Sequence, residues 1–580
     1  MLNTEQQLAV DTINGPLRII AGAGTGKTFT LIKRIESLLS KKSVKPNKIL
    51  VLTFTNKAAF ELKDRLNKCK IFGVHSMTFH SLAAKILRQF WNPDFTIINS
   101  TDQKVIFESL LNKEEQKNYK DFLNDFNVLR FNAFLDKDSK YNKKKTKISD
   151  KRMVEILDKY NDILDEKNSV DFSGLLLKLL DLWNNKPNIL AKCQKLFDYV
   201  MVDEYQDVNQ IQIELLEKLV RPHKNICVVG DSDQTIYSWR GAKASTMMDF
   251  ENIFEDAETV VLTKNYRNPP SILRGAQDLI KNNKKRINKY LESAVEKDEK
   301  IKFWESVNEF ERSEILFSLL EKYIGSTTSM VTADMIDNEA DSDFKQFSDI
   351  AILYRTQAQG KILAELLSKK GYPFQISSSE YFWQKKEIVK LIEDLEKIDE
   401  SDYKTTNPDS FSEWFSNFID TYIEKNKFTK AQQTRLKHLI PYSIQFENLS
   451  EFLDNVQTEQ EADNLVFGDK INLLTLHAAK GLEFPIVFIF GLEEDEIPFK
   501  KSKDDNYMLS EERRLLYVGM TRATEELHLF YSKKVYDKQK DRSRFLGEIG
   551  IENMIYQRLS EDRAEKLKRK EIKKAQMTLF

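Results

Sequence analysis

The chain has 580 residues, which at ~150 residues per domain corresponds to about four folding units and argues against a single compact core. Hydrophobic residues make up 41% and charged residues 31% of it, and 18 glycines and 12 prolines are too few for long disordered stretches. With 89 Lys and Arg against 90 Asp and Glu, the formal net charge is -1. The overall charge therefore gives no signal for nucleic acid, and any basic groove has to be built by segregating charges.

Cysteine usage and the N-terminus argue against a secreted or membrane protein. Cys69, Cys193 and Cys227 lie far apart without a CxxC pair, which is against a disulfide framework or a zinc cluster. The first residues, MLNTEQQLAV, lack a basic n-region and an apolar h-region, and no apolar run approaches the ~20 residues that span a bilayer. We therefore expect buried, reduced thiols and a cytoplasmic protein without a membrane partner.

Short apolar runs that end in polar or glycine-containing turns recur along the chain, with helical patterns between them. The first set lies at 17–21, 49–53, 199–202, 226–230 and 260–262, and the second at 350–354, 471–476, 486–490 and 527–530. Buried parallel strands have this pattern. Stretches without comparable runs, 95–195 and 376–470, interrupt the two sets. The predicted fold class is α/β, with two parallel-sheet lobes, each interrupted by a mainly helical insertion.

The segment AGAGTGKT, at 21–28, has the strand-loop-helix context that a phosphate loop requires. Backbone N–H groups can face phosphates only where bulky Cβ atoms are absent, Lys27 supplies positive charge, and the Thr28 hydroxyl is a ligand for Mg²⁺. The strict pattern opens with glycine, where this chain has Ala21, a change at the first loop position alone. The predicted ATP-binding residues of the loop are Ala21, Gly22, Ala23, Gly24, Thr25, Gly26, Lys27 and Thr28.

Two adjacent carboxylates, Asp203 and Glu204, follow an apolar run in VMVDEYQD. Ligands of open parallel sheets bind at the carboxyl ends of the strands, where these side chains emerge. Phosphoryl transfer mainly needs positioning and charge neutralisation. We therefore expect Asp203 to hold Mg²⁺ together with Thr28, and Glu204 to orient or deprotonate the attacking water.

Ten segments, in this order, resemble the UvrD/Rep/PcrA group of superfamily 1 DNA helicases. They are LNTEQ (2–6), AGAGTGKT (21–28), LTFTNKAA (52–59), TFHSLAAKIL (78–87), VDEYQD (202–207), VVGDSDQTIYSWRGA (228–242), NYRN (265–268), AILYRT (351–356), LLTLHAAKGLEFPIVFI (473–489) and EERRLLYVGMTRA (511–523). The resemblance covers nearly the whole chain and implies RecA-like motor lobes. The expected division is 1–94 and 196–265 for lobe 1, 95–195 for insertion 1, 266–375 and 471–555 for lobe 2, 376–470 for a shortened insertion 2, and 556–580 for a charged tail.

The resemblance also implies roles around ATP. Gln6 resembles the glutamine that reads adenine, and Tyr266 the aromatic residue that stacks on it. Many relatives have arginine after the phosphate-loop threonine, where this chain has Phe29. The remaining matches are the phosphate-sensing Gln234, the acid near the ribose, Glu483, and two arginines that reach the terminal phosphate, Arg267 and Arg522. Hydrolysis would then depend on closure of the lobes, because Arg522 comes from the second one.

Aromatic residues interrupt the polar motif loops, as expected for a surface on which any base can stack. By resemblance, Phe54, Tyr237 and Trp239 form base pockets, and His80, Arg240 and His477 lie near the DNA backbone or couple the pockets to ATP. The expected partners are single-stranded DNA and single-strand/duplex junctions, with stepping in the 3'-to-5' direction, by a monomer or a DNA-induced dimer. The Lys143–Lys147 cluster is interpreted as a solvated turn, with a patch that contacts duplex DNA as the alternative.

Three other functions compete with an ATP-dependent helicase of DNA repair or replication. A nuclease-helicase is disfavoured because the tail lacks a carboxylate-lysine constellation, and a DNA-binding scaffold with a dead ATPase because the predicted catalytic residues are intact. A translocase that strips proteins from DNA or drives a separate nuclease stays open. Larger relatives have a longer accessory domain in place of 376–470, and this stretch lacks a GIG-type hairpin turn.

The C-terminal sequence EDRAEKLKRKEIKKAQMTLF is too charged to bury itself, and we expect a mobile tail. Its last residues resemble short peptides that bind DNA sliding clamps, with Gln576 as the polar anchor and Leu579 and Phe580 filling an apolar pocket. A clamp is therefore a further expected partner, with docking of this tip on the protein itself as the alternative.

Overall fold

A computed structural model describes residues 1–134, 148–325, 344–376, 385–398, 411–444, 446, 448–457 and 468–557. The lysine cluster at 143–147 and the tail containing Gln576, Leu579 and Phe580 lie outside these residues. Among the described residues, no helix combines the length and the apolar character needed to cross a membrane. Cys193 and Cys227 are buried, whereas the prediction of a buried thiol is wrong for Cys69, which is exposed where α-helix 56–68 ends.

The first half of the chain forms a six-stranded parallel sheet. The strands of this half are β1 (Leu17–Ala21), β2 (Ile49–Thr53), β3 (His75–Thr78), β4 (Thr96–Ile98), β5 (Ser169–Asp171), β6 (Tyr199–Val202), β7 (Ile226–Gly230) and β8 (Glu258–Leu262). The sheet has the order β3-β2-β6-β7-β1-β8, and β4 pairs separately with β5. All residues of β1, β2 and β7 are buried, as their apolar runs predict.

Helices cover the first sheet and form the first insertion. They are α1 (Thr4–Asp11), α2 (Lys27–Lys41), α3 (Asn56–Lys68), α4 (Phe79–Phe90), α5 (Ser100–Leu110), α6 (Lys113–Gln116), α7 (Tyr119–Phe134), α8 (Asp150–Glu166), α9 (Phe172–Asn185), α10 (Pro187–Gln194), α11 (Gln210–Val220) and α12 (Thr246–Ile253). Short polar side chains begin several of them: Thr55 caps α3, Thr78 caps α4 and Asp171 caps α9. An aromatic core that includes Phe107 and Tyr160 packs between α5, α7 and α8.

The second half forms a seven-stranded sheet in which every pairing is parallel. The strands of this half are β9 (Lys264–Asn265), β10 (Glu292–Ser293), β11 (Ile301–Ser306), β12 (Ile350–Tyr354), β13 (Phe374–Ile376), β14 (Ile471–Thr475), β15 (Phe484–Ile489), β16 (Ala523–Ser532), β17 (Lys534–Val535), β18 (Lys538–Gln539) and β19 (Met554–Gln557). The order is β13-β14-β12-β15-β16-β11-β19. The predicted fold class, two parallel-sheet lobes with helical insertions, is confirmed.

Helices of the second half flank this sheet and form the second insertion. They are α13 (Pro270–Ile280), α14 (Glu309–Ile324), α15 (Gln357–Lys369), α16 (Lys386–Leu395), α17 (Phe411–Lys425), α18 (Lys430–Lys437), α19 (Leu439–Ser443), α20 (Leu449–Gln457) and α21 (Asn506–Met520). Helices α16 to α20 share one apolar core, which includes Phe415 and Phe452. The residue boundaries of the domains stay a prediction.

The second insertion contacts the first lobe through α20. Arg88 of α4 forms two hydrogen bonds with the Asp454 carboxylate, at 2.7 Å and 2.5 Å. Asn56, the first residue of α3, donates from Nδ2 to the Asn455 carbonyl oxygen at 3.2 Å. Because Asn56 is two residues from Phe54, α20 is docked beside the beginning of a predicted DNA-binding element.

Candidate functional site

The predicted phosphate loop joins β1 to α2 at the carboxyl edge of the first sheet. Gly24 and Gly26 have φ angles of 69° and 82°, in the left-handed region that glycine adopts most easily. A Cβ atom at Gly24 would also lie 2.6 Å from Cβ of Arg267. Ala21, in contrast, is the last, fully buried residue of β1. Alanine at the first loop position therefore does not disturb the turn.

Lys27, the first residue of α2, is paired with Glu204 across the loop. Its Nζ atom lies 2.6 Å from Oε1 of Glu204. Burial opposes the charge of Lys27, but the carboxylates of Glu204 and Asp203 outweigh burial and raise the pKa of the amine. Burial likewise disfavours the Glu204 carboxylate, yet Lys27 and Lys480 lower its pKa to about 2. Glu204 is therefore ionised at neutral pH, as a base must be.

Backbone strain and electrostatics distinguish the acidic pair, Asp203 and Glu204, from ordinary exposed carboxylates. Glu204 has a φ angle of 52°, a left-handed conformation that non-glycine residues adopt at a cost and mostly at functional positions. Burial, followed by repulsion from Glu204, raises the pKa of Asp203 to about 6. Carboxylate and hydroxyl oxygens are the donors that Mg²⁺ prefers, and Mg²⁺ takes most of its ligands from water and phosphate. The side chains of Asp203 and Thr28 fit this ion, although no group of three or more His, Cys, Asp or Glu among the described residues forms a metal site.

Lys480, which the sequence reasoning missed, links the two lobes at this point. It follows β14 of the second sheet, and its Nζ atom donates to the carbonyl oxygen of Gln234 at 2.7 Å and to the carboxylate of Asp207. The same atom lies 3.9 Å from Glu204 and 5.1 Å from the centre of the Tyr237 ring. The signal in the sequence is the position of this lysine in HAAKG, directly after a predicted buried strand.

Gln234 is connected to Glu204 by a line of hydrogen bonds. Its Nε2 donates to Oδ2 of Asp231 at 2.8 Å, and the Asp231 amide donates to Oε1 of Gln206 at 3.0 Å. The Gln206 side chain in turn donates to Glu204. Asp231 and Gln206 are buried and were not singled out from the sequence. A change at Gln234 can therefore reach Glu204 through contacts within the first lobe.

The two predicted phosphate arginines lie close together but face protein groups. Arg267 is paired with Glu483 at 2.5 Å, and its buried Nε atom has no hydrogen-bond partner among the described residues. Arg522 is buried, with Nε donating to the Val518 carbonyl oxygen at 2.9 Å. Burial, followed by repulsion from Arg267, lowers the pKa of Arg522 to about 9. Two neighbouring guanidinium groups that repel each other electrostatically suit a ligand with several negative charges. Glu483, predicted to lie near the ribose, is paired with Arg267.

The predicted adenine residues lie at the edge of the phosphate loop. Gln6 donates from Nε2 to the Thr25 carbonyl oxygen at 3.1 Å. The Tyr266 amide donates to the Gly24 carbonyl oxygen at 2.8 Å, and Tyr266 as a residue is 48% exposed. Phe29 is also exposed, at the start of α2. Exposed aromatic faces next to a phosphate loop provide surfaces on which a base can stack.

Most of the predicted DNA-binding aromatics form one cluster between the lobes. Phe54 stacks on Tyr237 with ring centres 5.1 Å apart, and Trp239 meets Tyr237 edge-on at 6.3 Å. His477 of the second lobe lies 6.4 Å from Tyr237. Trp239 is 55% exposed, so part of its surface is accessible to solvent.

One predicted DNA residue, His80, is not brought into this cluster. His80 is buried and stacks on Phe172 of the first insertion, with ring centres 3.7 Å apart. It lies in the junction between α4 and α9, so its ring is covered by protein. The side chain of Arg240 lies outside the described residues.

The fold and the site together define a two-lobed P-loop motor, with the phosphate loop on one sheet and basic side chains from the other sheet opposite it. The chain belongs to the UvrD/REP helicase family. Residues 2–255 match the model of the UvrD/REP helicase N-terminal domain, and residues 260–407 and 395–534 match that of the UvrD-like helicase C-terminal domain.

Curated relatives resemble the chain over most of its length. It is 30% identical to the ATP-dependent DNA helicase PcrA of Staphylococcus aureus, in an alignment that covers 94% of this chain and 86% of that protein. It is 31% identical to the ATP-dependent DNA helicase PcrA of Bacillus subtilis, over 94% of this chain and 85% of that protein. The protein of the same name from Staphylococcus epidermidis is 30% identical over 94% of this chain and 86% of its own length.

Lys480→Met is expected to lower the melting temperature by several degrees, because it leaves the buried Asp207 carboxylate without its cation. Breaking a buried pair in this way costs about 3–5 kcal/mol. Burial already raises the pKa of Asp207 to about 6, against the opposing effect of Lys480, and loss of the lysine raises it further. The loss of stability should therefore be larger at high pH, where the folded state must ionise Asp207, than at a pH below its folded pKa.

Calorimetry at several pH values, from acidic to alkaline, measures both the decrease in melting temperature and its dependence on pH. The double variant Lys480→Met/Asp207→Asn should recover most of the lost stability, and Lys68→Met, in an exposed ion pair with Asp64, serves as the control. A melting temperature of Lys480→Met equal to that of the unmodified protein would show that the buried pair does not stabilise the fold.

Proposed function

We propose that this protein is an ATP-dependent DNA helicase that hydrolyses ATP between its lobes while moving along single-stranded DNA, in DNA repair or replication. The observation that supports this most is the central loop, residues 231–241. It contains the buried Gln234 at the acidic site and, a few residues on, Tyr237 and Trp239 in the aromatic cluster. One short loop thus joins a nucleotide site to a stacking surface.

Hydrolysis would begin with a change of partner for Lys27. In the structure its amine is neutralised by Glu204. The terminal phosphates of ATP offer Lys27 a stronger anion, and the carboxylate that Lys27 releases can accept a proton from the attacking water or orient it. Asp203 and Thr28 would hold Mg²⁺, which neutralises charge on the phosphates when bound.

Closure of the lobes would complete the site. Arg267 and Arg522 repel each other, and a transferring phosphoryl group placed between them would relieve that repulsion. Arg522 comes from the strand and helix junction of the second lobe, so it can contribute only when that lobe is close. This role is supported by the electrostatic effects of Arg267 and Glu204 on Arg522, which place all three groups near one another around Arg522.

The aromatic cluster would hold successive bases of one strand. Stacking on Phe54, Tyr237 and Trp239 tolerates every base, because each base has a π-face. His477 and Arg240 would lie beside the strand. A 3'-to-5' direction, a preference for single-strand/duplex junctions and action as a monomer or DNA-induced dimer are proposed from the family resemblance.

A single-stranded DNA translocase that strips proteins or drives a separate nuclease is the second candidate. The second insertion favours this candidate. Its described part consists of helices α16 to α20. Asp454 of α20 pairs with Arg88 of the first lobe, so in this structure the insertion is engaged with the motor itself. Clamp binding through Gln576, Leu579 and Phe580 stays a prediction.

ATP hydrolysis by the full chain should rise at least about tenfold on addition of single-stranded DNA, because the nucleotide and stacking sites share the central loop. A steady-state ATPase assay with and without an oligonucleotide measures this ratio. Equal rates would contradict the proposed function. A strand-displacement assay run beside a translocation assay then separates the candidates, since a translocase moves along the strand without releasing the complementary one.

Lys27→Ala and Glu204→Gln should both abolish unwinding, with hydrolysis reduced about 10²- to 10⁴-fold where the base is lost. Glu204→Gln should still bind ATP, because Lys27, Asp203 and the loop amides remain. A thermal shift with ATP, or titration of a fluorescent ATP analogue, reports binding in each variant. Loss of ATP binding in Glu204→Gln would remove Glu204 from the role of base.

Trp239→Ala should weaken binding of single-stranded DNA by roughly 1–3 kcal/mol, or about 5- to 150-fold, with little dependence on base sequence. Fluorescence anisotropy with two homopolymers and a mixed sequence measures this loss. Trp239→Phe should keep most of the affinity, and Tyr536→Ala, at another exposed aromatic residue, should change nothing. Unchanged binding by Trp239→Ala would show that this ring is not a stacking surface for DNA.

A further inference from the structure

A segment of the second lobe, here named the strap and comprising residues 281–291, crosses from α13 to β10. Both of its ends are fixed to that lobe. Near its start, Asn283 donates to the Ser510 carbonyl oxygen at 2.9 Å and accepts from Arg513 at 2.6 Å, both on α21. At its end, the backbone of Leu291 makes two hydrogen bonds with the side chain of Gln277 on α13, at 3.0 Å and 2.8 Å. The strap therefore follows the position of the second lobe.

The end of the strap contacts the phosphate loop. The side chain of Leu291 is buried, and a Cβ atom at Gly22 would lie 2.5 Å from its Cδ1 atom. The loop and the strap are thus in close contact at a position where only hydrogen projects from the loop backbone. Movement of the strap would change the packing of the phosphate loop.

The middle of the strap is bound to the central loop by buried ion pairs. Lys289, with a side chain 1% exposed, lies 2.6 Å from Asp231 and also contacts Asp233. Arg286 donates to both carboxylate oxygens of Asp233, at 2.9 Å and 2.6 Å. These two cations and two anions balance each other. Burial opposes the charge of Lys289, but the two aspartates outweigh burial and raise its pKa, so the amine is charged at neutral pH.

Asp231 connects this network to the predicted phosphate sensor. Its Oδ1 atom accepts from Lys289, while its Oδ2 atom accepts from Gln234 at 2.8 Å. The direction of the Gln234 side chain therefore depends on where Lys289 holds Asp231. Charges buried at such a junction define position more than they add stability, because desolvation offsets most of their attraction.

We infer that the strap transmits the position of the second lobe to the nucleotide site, with Lys289 as the positioning residue that sets Asp231 and, through it, Gln234. The inference rests on the proposed function, since it concerns how DNA on the aromatic cluster would stimulate hydrolysis. Binding of DNA between the lobes displaces α13 and α21, the strap follows them, and the central loop shifts with the ion pairs. Among the described residues, the ion-pair partners of Lys289 are Asp231 and Asp233, so it acts on the nucleotide site through them.

Three variants of the full chain test this: Lys289→Met, Asp233→Asn and the double variant. Each single change leaves a buried charge without its partner, so each should lower the melting temperature and reduce the stimulation of ATP hydrolysis by DNA about tenfold. The double variant leaves one cation, Arg286, and one anion, Asp231, which attract each other, so it should recover part of the lost stability. Its stimulation by DNA should stay as low as in the single variants, because the connection is still broken.

Stability and stimulation thus separate a positioning role from a structural one. Stimulation that returns together with the melting temperature in the double variant would overturn the inference, as would full stimulation in Lys289→Met. If Lys289→Met does not fold, the double variant alone gives the answer, since its charges are balanced. The control is Arg274→Met. Arg274 lies on α13, and the change breaks its partly exposed ion pair with Asp298, so this variant should keep full stimulation.

Failure of the inference can be told from failure of the proposed function. If the unmodified protein shows no stimulation by DNA, the proposed function is wrong. If the unmodified protein is stimulated and the double variant is stimulated equally, only the role of the strap is wrong.

Discussion

Charge buried between two sheets is the constraint on which the rest of this structure depends. At the carboxyl edges of the two sheets, acidic side chains of the first lobe face a basic side chain of the second, and each is costly to bury without the other. Lys480 of the second lobe meets Asp207 and Glu204 of the first, and its amine also binds the carbonyl oxygen of Gln234. The lobes are therefore held together by the same groups that are proposed to handle the phosphates. A ligand that changes this charge balance must also change how the lobes fit.

The sequence predicts most of the fold because the central strands are buried on both faces and appear as uninterrupted apolar runs. Strand β3, with the sequence HSMT, was missed because it is an edge strand whose first three residues are only half-buried. The short pair of β4 and β5 inside the first insertion was missed for a related reason. Its partners are more than 70 residues apart in the chain, and each has only three residues.

The candidate site was predictable where spacing along the chain determines it, as in the phosphate loop and the acidic pair. It was not predictable where two lobes meet. Lys289 looks like an ordinary solvated lysine in the sequence, and only the opposing aspartates show why it is buried. His80 lies in a matching segment, yet the ring of Phe172, from an insertion almost a hundred residues away, covers it. Local sequence contains no information about such partners.

The second sheet ends on the strand nearest the C-terminus of the described chain. Strand β19 pairs with β11 and leaves Ile555 and Tyr556 partly exposed at the sheet's edge. A chain shortened after Gln557 keeps this edge strand. A chain shortened before Met554 would instead leave the amide and carbonyl groups of β11, flanked by the apolar side chains of Phe303 and Trp304, available for pairing with another molecule. The position of the cut therefore decides whether β19 or β11 forms the edge of the sheet.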